Sequence, residues 1–330
     1  MVNISQKRLF IFLLLLLLLT ANIPFLVNSS IYFSTFLNTF TLFISIFFIY
    51  HYFRNKESKF TQKLQNNETY KELTVAHNVQ KALLDIDVPE STNLSIVKGW
   101  KSAKSLSGDF FTFIDKTDTT LKENSITPGV FEYKDSNDQY IGISIGDVAG
   151  HGVSSALVMA LTSGLIGRIG MNNTSPAKTL HRLNNDVQRF ISHSQITHVT
   201  TCYAVINTTT KELSYSNAGH LPILLMSSNE SITELNAEGT FLGIYPNEQF
   251  EEKRHRLNKG DRLVFFTDGI IEQKNEKNDI FGLSNFKDLI SKNMHLSNKD
   301  LLSTIFSSIE SFSKNVDRKD DQTIVIVDIL

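Results

Sequence analysis

The stretch Tyr140-Ile141-Gly142-Ile143-Ser144-Ile145-Gly146-Asp147-Val148-Ala149-Gly150-His151-Gly152 decides the fold. It reads as a short apolar strand that runs into a glycine-rich loop, with an acid, Asp147, where the strand ends. A helical pattern from Val153 to Gly170 follows directly. Working outward, Leu94 to Lys101, His198 to Asn207, Pro222 to Ser227, Arg262 to Asp268 and Thr323 to Leu330 are further β-rich runs. Helical patterns cover Ser175 to His193, Ser284 to Met294 and Lys299 to Lys314. The order is strands, two helices, more strands, a helical pair and a closing strand. Regular βαβ alternation is missing, so the pattern predicts an α+β layered domain rather than a doubly wound sheet. Residues 116 to 138, rich in Asp, Thr, Lys and Asn, read as a long exposed loop.

Other acids repeat the placement of Asp147. Asp109 stands in Ser107-Gly108-Asp109-Phe110-Phe111, Asp268 in Phe265-Phe266-Thr267-Asp268-Gly269, and Asp320 and Asp321 just before the apolar run Ile324 to Ile329. Singly, an Asp-Gly at a strand end reads more readily as a turn. Together, converging carboxylates with backbone carbonyls and water suit hard cations such as Mg²⁺ or Mn²⁺. No zinc spacing, P-loop or nucleophile elbow is present. The single cysteine, Cys202, rules out an intrachain disulfide and reads as a packed strand residue. A net charge of −2 gives no bias toward nucleic acid.

The first 53 residues differ from the rest. Residues 9–27 and 31–53 are two charge-free apolar runs, each long enough to cross about 30 Å of hydrocarbon as a helix. Asn28-Ser29-Ser30 suits a tight turn between them. Lys7 and Arg8 precede the first run, and Arg54, Lys56, Lys59 and Lys63 follow the second, so both ends are expected on the cytoplasmic side of the inner membrane. The competing readings are a cleaved signal for the first run, or a signal-anchor with the domain outside. Residues 54–88 read as a linker helix ended by Pro89. Its positions Leu73, Ala76, Leu83 and Ile86 form either a dimerising seam or a face packed on the chain's own domain, which spans 89–330.

With these residues quoted, a resemblance can be stated. Gly108-Asp109-Phe110, then Gly146-Asp147-Val148-Ala149-Gly150-His151-Gly152, Asn217-Ala218-Gly219-His220-Leu221-Pro222, Thr267-Asp268-Gly269-Ile270-Ile271-Glu272 and Asp320-Asp321-Gln322-Thr323 resemble, in that order, the SpoIIE/RsbU branch of the PP2C-type (PPM) serine/threonine phosphatases. Ala76-His77-Asn78-Val79-Gln80-Lys81-Ala82-Leu83-Leu84 resembles the helix that opens such domains. The resemblance implies a β-sandwich flanked by helices, in αββα layers, with two divalent cations, Mn²⁺ or Mg²⁺, at one edge. It matches Asp109, Asp147, Asp268 and Asp320 to the metal-binding acids and Val148 to a carbonyl ligand. These would activate a metal-bridging hydroxide that attacks phosphorus without a covalent enzyme intermediate.

The roles of several residues near the acids stay open. His151 either assists proton transfer or holds its loop. Asn217 and His220 shape a turn or lie behind the metal ligands. Glu272 supports the site or caps the segment after the Asp-Gly turn, and Asp321 orients its neighbour or ligates. Two departures from the family pattern are Ser107 for a glycine and Thr112 for a frequent acid. The implied substrate is a phosphorylated regulator, such as an anti-sigma factor antagonist in a partner-switching pathway. The alternative is a catalytically inactive module of the same fold that docks a partner.

Overall fold

The computed structural model describes residues 29–123, 131–192, 196–228 and 231–330. The chain divides into two units, Met1–Tyr70 and Lys71–Leu330. The first apolar run, 9–27, lies outside the described residues. The second falls within helix α1 (Ser29–Leu84), and its described side chains include the exposed Phe40, Leu42, Phe47 and Phe53. Among the described residues, one helix is long and apolar enough to span a membrane by length and composition, α2 (Val153–Met171). That helix packs on a sheet of the second unit.

The second unit is a sandwich of two antiparallel sheets. Strands β1 (Leu94–Lys101), β6 (Ile223–Met226), β7 (Ile232–Leu235), β9 (Arg262–Phe266) and β10 (Gln322–Ile329) form the first, in the order β1-β10-β9-β6-β7. Strands β2 (Phe110–Glu123), β3 (Phe131–Val148), β4 (Val199–Asn207), β5 (Glu212–Ala218) and β8 (Lys253–Arg256) form the second, in chain order. Helix α2 and helix α3 (Pro176–Ile191) cover the second sheet, while α4 (Leu283–Lys292) and α5 (Asn298–Ser313) lie over the first. The layers are therefore αββα.

The period of two along each strand explains this layering. In β10, Val325, Val327 and Ile329 enter the core between the sheets, while Ile324 and Ile326 join Phe286, Ile290, Leu301 and Ile305 beneath α4 and α5. A strand buried on both faces reads as a continuous apolar run, which is why Ile324 to Val327 shows no polar alternation before Asp328, which accepts from Arg262. The loop expected at 116–138 is a correction. Residues 116–123 and 131–138 pair as antiparallel strands, from Lys116↔Tyr140 to Glu123↔Phe131, with a register shift between Thr117 and Thr119. Polar side chains concealed a hairpin whose backbone groups satisfy one another.

Helix α1 ends at Leu84, short of residue 88. The Lys98 ammonium donates to the carbonyls of Leu84, at 3.0 Å, and Ile86, so a strand residue caps the helix. The last turns of α1 pack on the domain. Leu84 lies in the sandwich core, the Gln80 amide bonds both backbone groups of Ser107 at 2.8 Å, and His77 Nδ1 lies 2.7 Å from the Ser105 carbonyl. Of the proposed seam, Leu73, Ala76 and Ile86 are partly covered. The fourth seam position, Leu83, is exposed and joins Val75 and Val79 in an apolar stripe.

Candidate active site

Strand register brings the acids to one edge of the sandwich. In the first sheet Lys101 pairs with Gln322 and Ile324 with Phe266, so the start of β10, with Asp320 and Asp321 before it, lies beside the end of β9, after which Asp268 opens a short 3₁₀ turn. In the second sheet Phe110 pairs with Gly146 and Asp147 with Thr200, which puts Asp109 next to Asp147. The charges act on one another. Burial, then Asp268, Asp320 and Asp321, push the Asp147 carboxyl up to about 7. Burial and the Asp147 charge hold Asp109 well above the usual carboxylate range. Burial and Glu272 raise Asp268, and burial raises Asp320, against which the Lys104 charge works. Among the described residues, no three Asp, Glu, His or Cys side chains close on one point at metal-ligand distance. The carboxylates are neighbours that repel.

Asp109 tests whether a cation fits such a site. Its Oδ2 accepts from the hydroxyls of Thr267 and Thr323, both at 2.7 Å, which ties the start of β2 to the ends of β9 and β10. Its Oδ1 is buried and has no hydrogen-bond partner among the described residues. An orphaned carboxylate oxygen amid like charges is a costly arrangement in the absence of a cation. Gly108 leaves a recess on its own side, since a Cβ there would stand 3.0 Å from both Asp147 Oδ1 and the Val148 carbonyl oxygen. The expected carbonyl ligand and Asp147 thus face the same recess. The donor set is all oxygen, which fits Mg²⁺ or Mn²⁺.

The remaining expected residues separate by their contacts. Asp321 spends both oxygens on the loop before β2, accepting from the backbone N–H of Ala103 and of Gly108 at 2.7 Å each. Gly269 is required where the Asp268 turn passes this segment, because a Cβ would meet the Asp321 carbonyl oxygen at 2.0 Å. Asn217 is buried; its Oδ1 accepts from the His220 backbone N–H at 2.7 Å and its Nδ2 donates to the His220 carbonyl at 2.9 Å, which closes a turn. The His220 ring reaches Thr200 and Phe266. Glu272 is exposed, and its backbone N–H closes the Asp268 turn at 2.8 Å. His151 is exposed in the loop before α2. The Cys202 thiol is buried and pushed up to about 12, so it stays protonated and packed. Gln80, Thr200, Thr267 and Thr323 were not singled out from the sequence. The last two stand within the quoted acid motifs, and their β-branched hydroxyls beside an acid were the available signal.

Comparison with known proteins follows the same segments. Residues 137–330, more than half of the chain, match the family model described as Stage II sporulation protein E (SpoIIE). The phosphoserine phosphatase RsbU of Bacillus subtilis (strain 168) is 28% identical over 261 residues, which is 79% of this chain and 70% of that protein. The phosphoserine phosphatase RsbP of the same organism is 24% identical over 263 residues, and the match spans 58% of its length. Among solved structures, the SiaA-PP2C domain of Pseudomonas aeruginosa superposes with a TM-score of 0.63 at 19% identity, covering 80% of this chain and 98% of that one. A structure of RsbX in complex with magnesium superposes with a TM-score of 0.51 at 17% identity, covering 74% of this chain and all of that one. At these identities the structural matches establish the fold.

Proposed function

Given that the chain belongs to the SpoIIE family of PP2C-type phosphatases, we propose that it is a metal-dependent serine/threonine protein phosphatase anchored in the inner membrane, with its catalytic domain cytoplasmic. The observation that carries the metal requirement is the Asp109 carboxylate, with one oxygen buried and unpartnered and the Asp147 charge near enough to raise it. Asp109, Asp147, Asp268, Asp320 and the Val148 carbonyl would hold two divalent cations, Mn²⁺ or Mg²⁺. Such cations supply Lewis-acid activation of water and offset the charge of the phosphoryl oxygens.

The chain's own residues do the rest. Thr267 and Thr323 hold the Asp109 carboxylate, and Asp321 clamps the loop that leads into Asp109. Cys202 is the chain's single thiol, and its burial keeps it out of the reaction, in keeping with direct attack by water. The substrate is a phosphoserine or phosphothreonine on a regulator such as an anti-sigma factor antagonist, in line with the names of RsbU and RsbP as phosphoserine phosphatases.

The anchor is residues 9–27 and 31–53, with both chain ends cytoplasmic. The exposed apolar side chains along 36–53 are the kind of surface that seeks lipid or a partner. Homodimerisation through residues 54–88 would use the exposed Val75, Val79 and Leu83. The test is phosphate release from a phosphoserine peptide and an aryl phosphate by the full chain. Turnover with Mn²⁺ that EDTA and Asp147→Asn each abolish is the expected result. Undiminished turnover in Asp147→Asn refutes the assignment. Mn²⁺ binding with no turnover of any phosphoprotein would identify a docking module instead.

A further inference from the structure

The two sheets meet mostly through apolar packing, which is non-directional and does not fix how far apart their edges stand. At the acid edge this matters, because Asp147 belongs to the second sheet, Asp268 follows a strand of the first, and their charges repel. A turn from the second sheet crosses the gap there. The Nε2 atom of His220 lies 3.2 Å from the carbonyl oxygen of Phe266, the last residue of β9 and two before Asp268. Its Nδ1 lies 3.0 Å from Thr200 Oγ1. Thr200 is the register partner of Asp147, and its hydroxyl is 3.3 Å from the Asp147 carbonyl oxygen.

We propose that His220 is a positioning residue whose two ring nitrogens clasp β4 at Thr200, the register partner of Asp147, and the end of β9 that leads into Asp268, and so set the span of the cation site between the sheets; this rests on the reading of that edge as a cation centre. The hydrogen-bond chemistry fixes the tautomer. A carbonyl only accepts, so Nε2 carries the proton, and Nδ1 receives the Thr200 hydroxyl proton; that single proton then does not serve the Asp147 carbonyl, and Thr200 is tied to Asp147 through the β3–β4 pairing. Burial pushes the imidazole down to about 4, so the neutral form that this arrangement needs persists at ordinary pH. The clasp is itself braced, since Asn217 holds the His220 backbone from both sides. Thr200 thereby acquires a role that neither its sequence context nor its chemistry alone assigns.

The test compares the full-length chain with Thr200→Val, which keeps shape and removes the hydroxyl, and with His220→Phe, which fills the space and removes both bonds. Mn²⁺ affinity is read by calorimetry, and backbone hydrogen exchange of segments 145–149 and 265–269 is read without metal. The expected result is a loss of Mn²⁺ affinity of about tenfold or more in each folded variant, the usual scale for groups that orient metal ligands. Faster exchange should appear in both segments together. His220→Gln, which retains a donor for the Phe266 carbonyl, should recover part of the affinity. Wild-type affinity and exchange in Thr200→Val overturn the clasp. If the wild type binds no Mn²⁺, the cation reading fails, and the exchange result alone decides the clasp: coupled acceleration in the two segments sustains it, and exchange unchanged in either overturns it.

Discussion

Replacing Asp147 with Asn should stabilise the metal-free protein, although it destroys the candidate site. The reasoning starts from the rise of the Asp147 carboxyl from 3.8 to about 7, caused first by burial and then by Asp268, Asp320 and Asp321. A raised value means the folded chain holds this proton more tightly than the unfolded chain. The associated stability is complete below about 3.8, is lost progressively as pH rises, and is fully lost above about 7. The rise from 3.8 to about 7, at about 1.36 kcal/mol per tenfold in proton affinity, sets a ceiling of about 4 kcal/mol. Partial exposure and shared titration with the neighbouring acids reduce this to about 1–3 kcal/mol. Asparagine mimics the protonated acid in shape and removes the charge. Urea unfolding in EDTA, followed through the single tryptophan, Trp100 of β1, should show the variant more stable by that amount near pH 8. Near pH 4 the difference should be close to zero. Added Mn²⁺ should reverse the order, because only the wild type keeps the full ligand set. A variant less stable than wild type by the same margin at both pH values would refute the idea that the acids strain this edge.

Further expectations follow from single contacts. Gln80→Ala strips both backbone groups of the buried Ser107 of their partners and should cost on the order of 2–4 kcal/mol in urea unfolding. Gly269→Ala drives a Cβ to 2.0 Å from the Asp321 carbonyl oxygen; because backbone cannot swing aside, a loss of about 3 kcal/mol or more, together with loss of Mn²⁺ binding, is expected. The pair Thr267→Val and Thr323→Val removes the two hydroxyls that favour the charged form of Asp109, so calorimetric Mn²⁺ affinity should fall about tenfold or more, and by a larger factor as pH is lowered.

The legible and illegible parts of this chain divide along the range of the causes. Strand ends carrying acids were readable because apolar runs, glycine and aspartate are local signals. Element order pointed to an α+β layered domain, and the family resemblance implied its αββα layers. At the end of helix α1, Lys98, on a strand that follows it, bonds the Leu84 carbonyl and that of Ile86 just beyond, a contact no local pattern announces. The paired strands through 116–123 and 131–138 were misread because Asp, Thr, Lys and Asn mark loops by composition, whereas pairing depends on backbone groups that composition does not report. Gln80 stood within a recognised segment, yet its job, bonding both backbone groups of Ser107, appears only once helix and loop are adjacent.

The same division separates ligands from supports by the sign of their effects. An acid that repels its neighbours weakens the metal-free fold, so removing it should raise stability and abolish cation binding. Thr267, Thr323, Asp321 and His220 instead hold strands or loops in place through satisfied hydrogen bonds, so removing one should lower stability and cation affinity together. Asp321 is the informative case, since it is an acid among acids but receives two backbone N–H groups at 2.7 Å. If Asp321 acts as a support, Asp321→Asn destabilises the metal-free protein near pH 8, because an amide NH₂ would face an N–H donor. If it is a ligand, the variant gains stability as Asp147→Asn does. A measured gain near pH 8 in EDTA would move Asp321 from the supports to the ligand set.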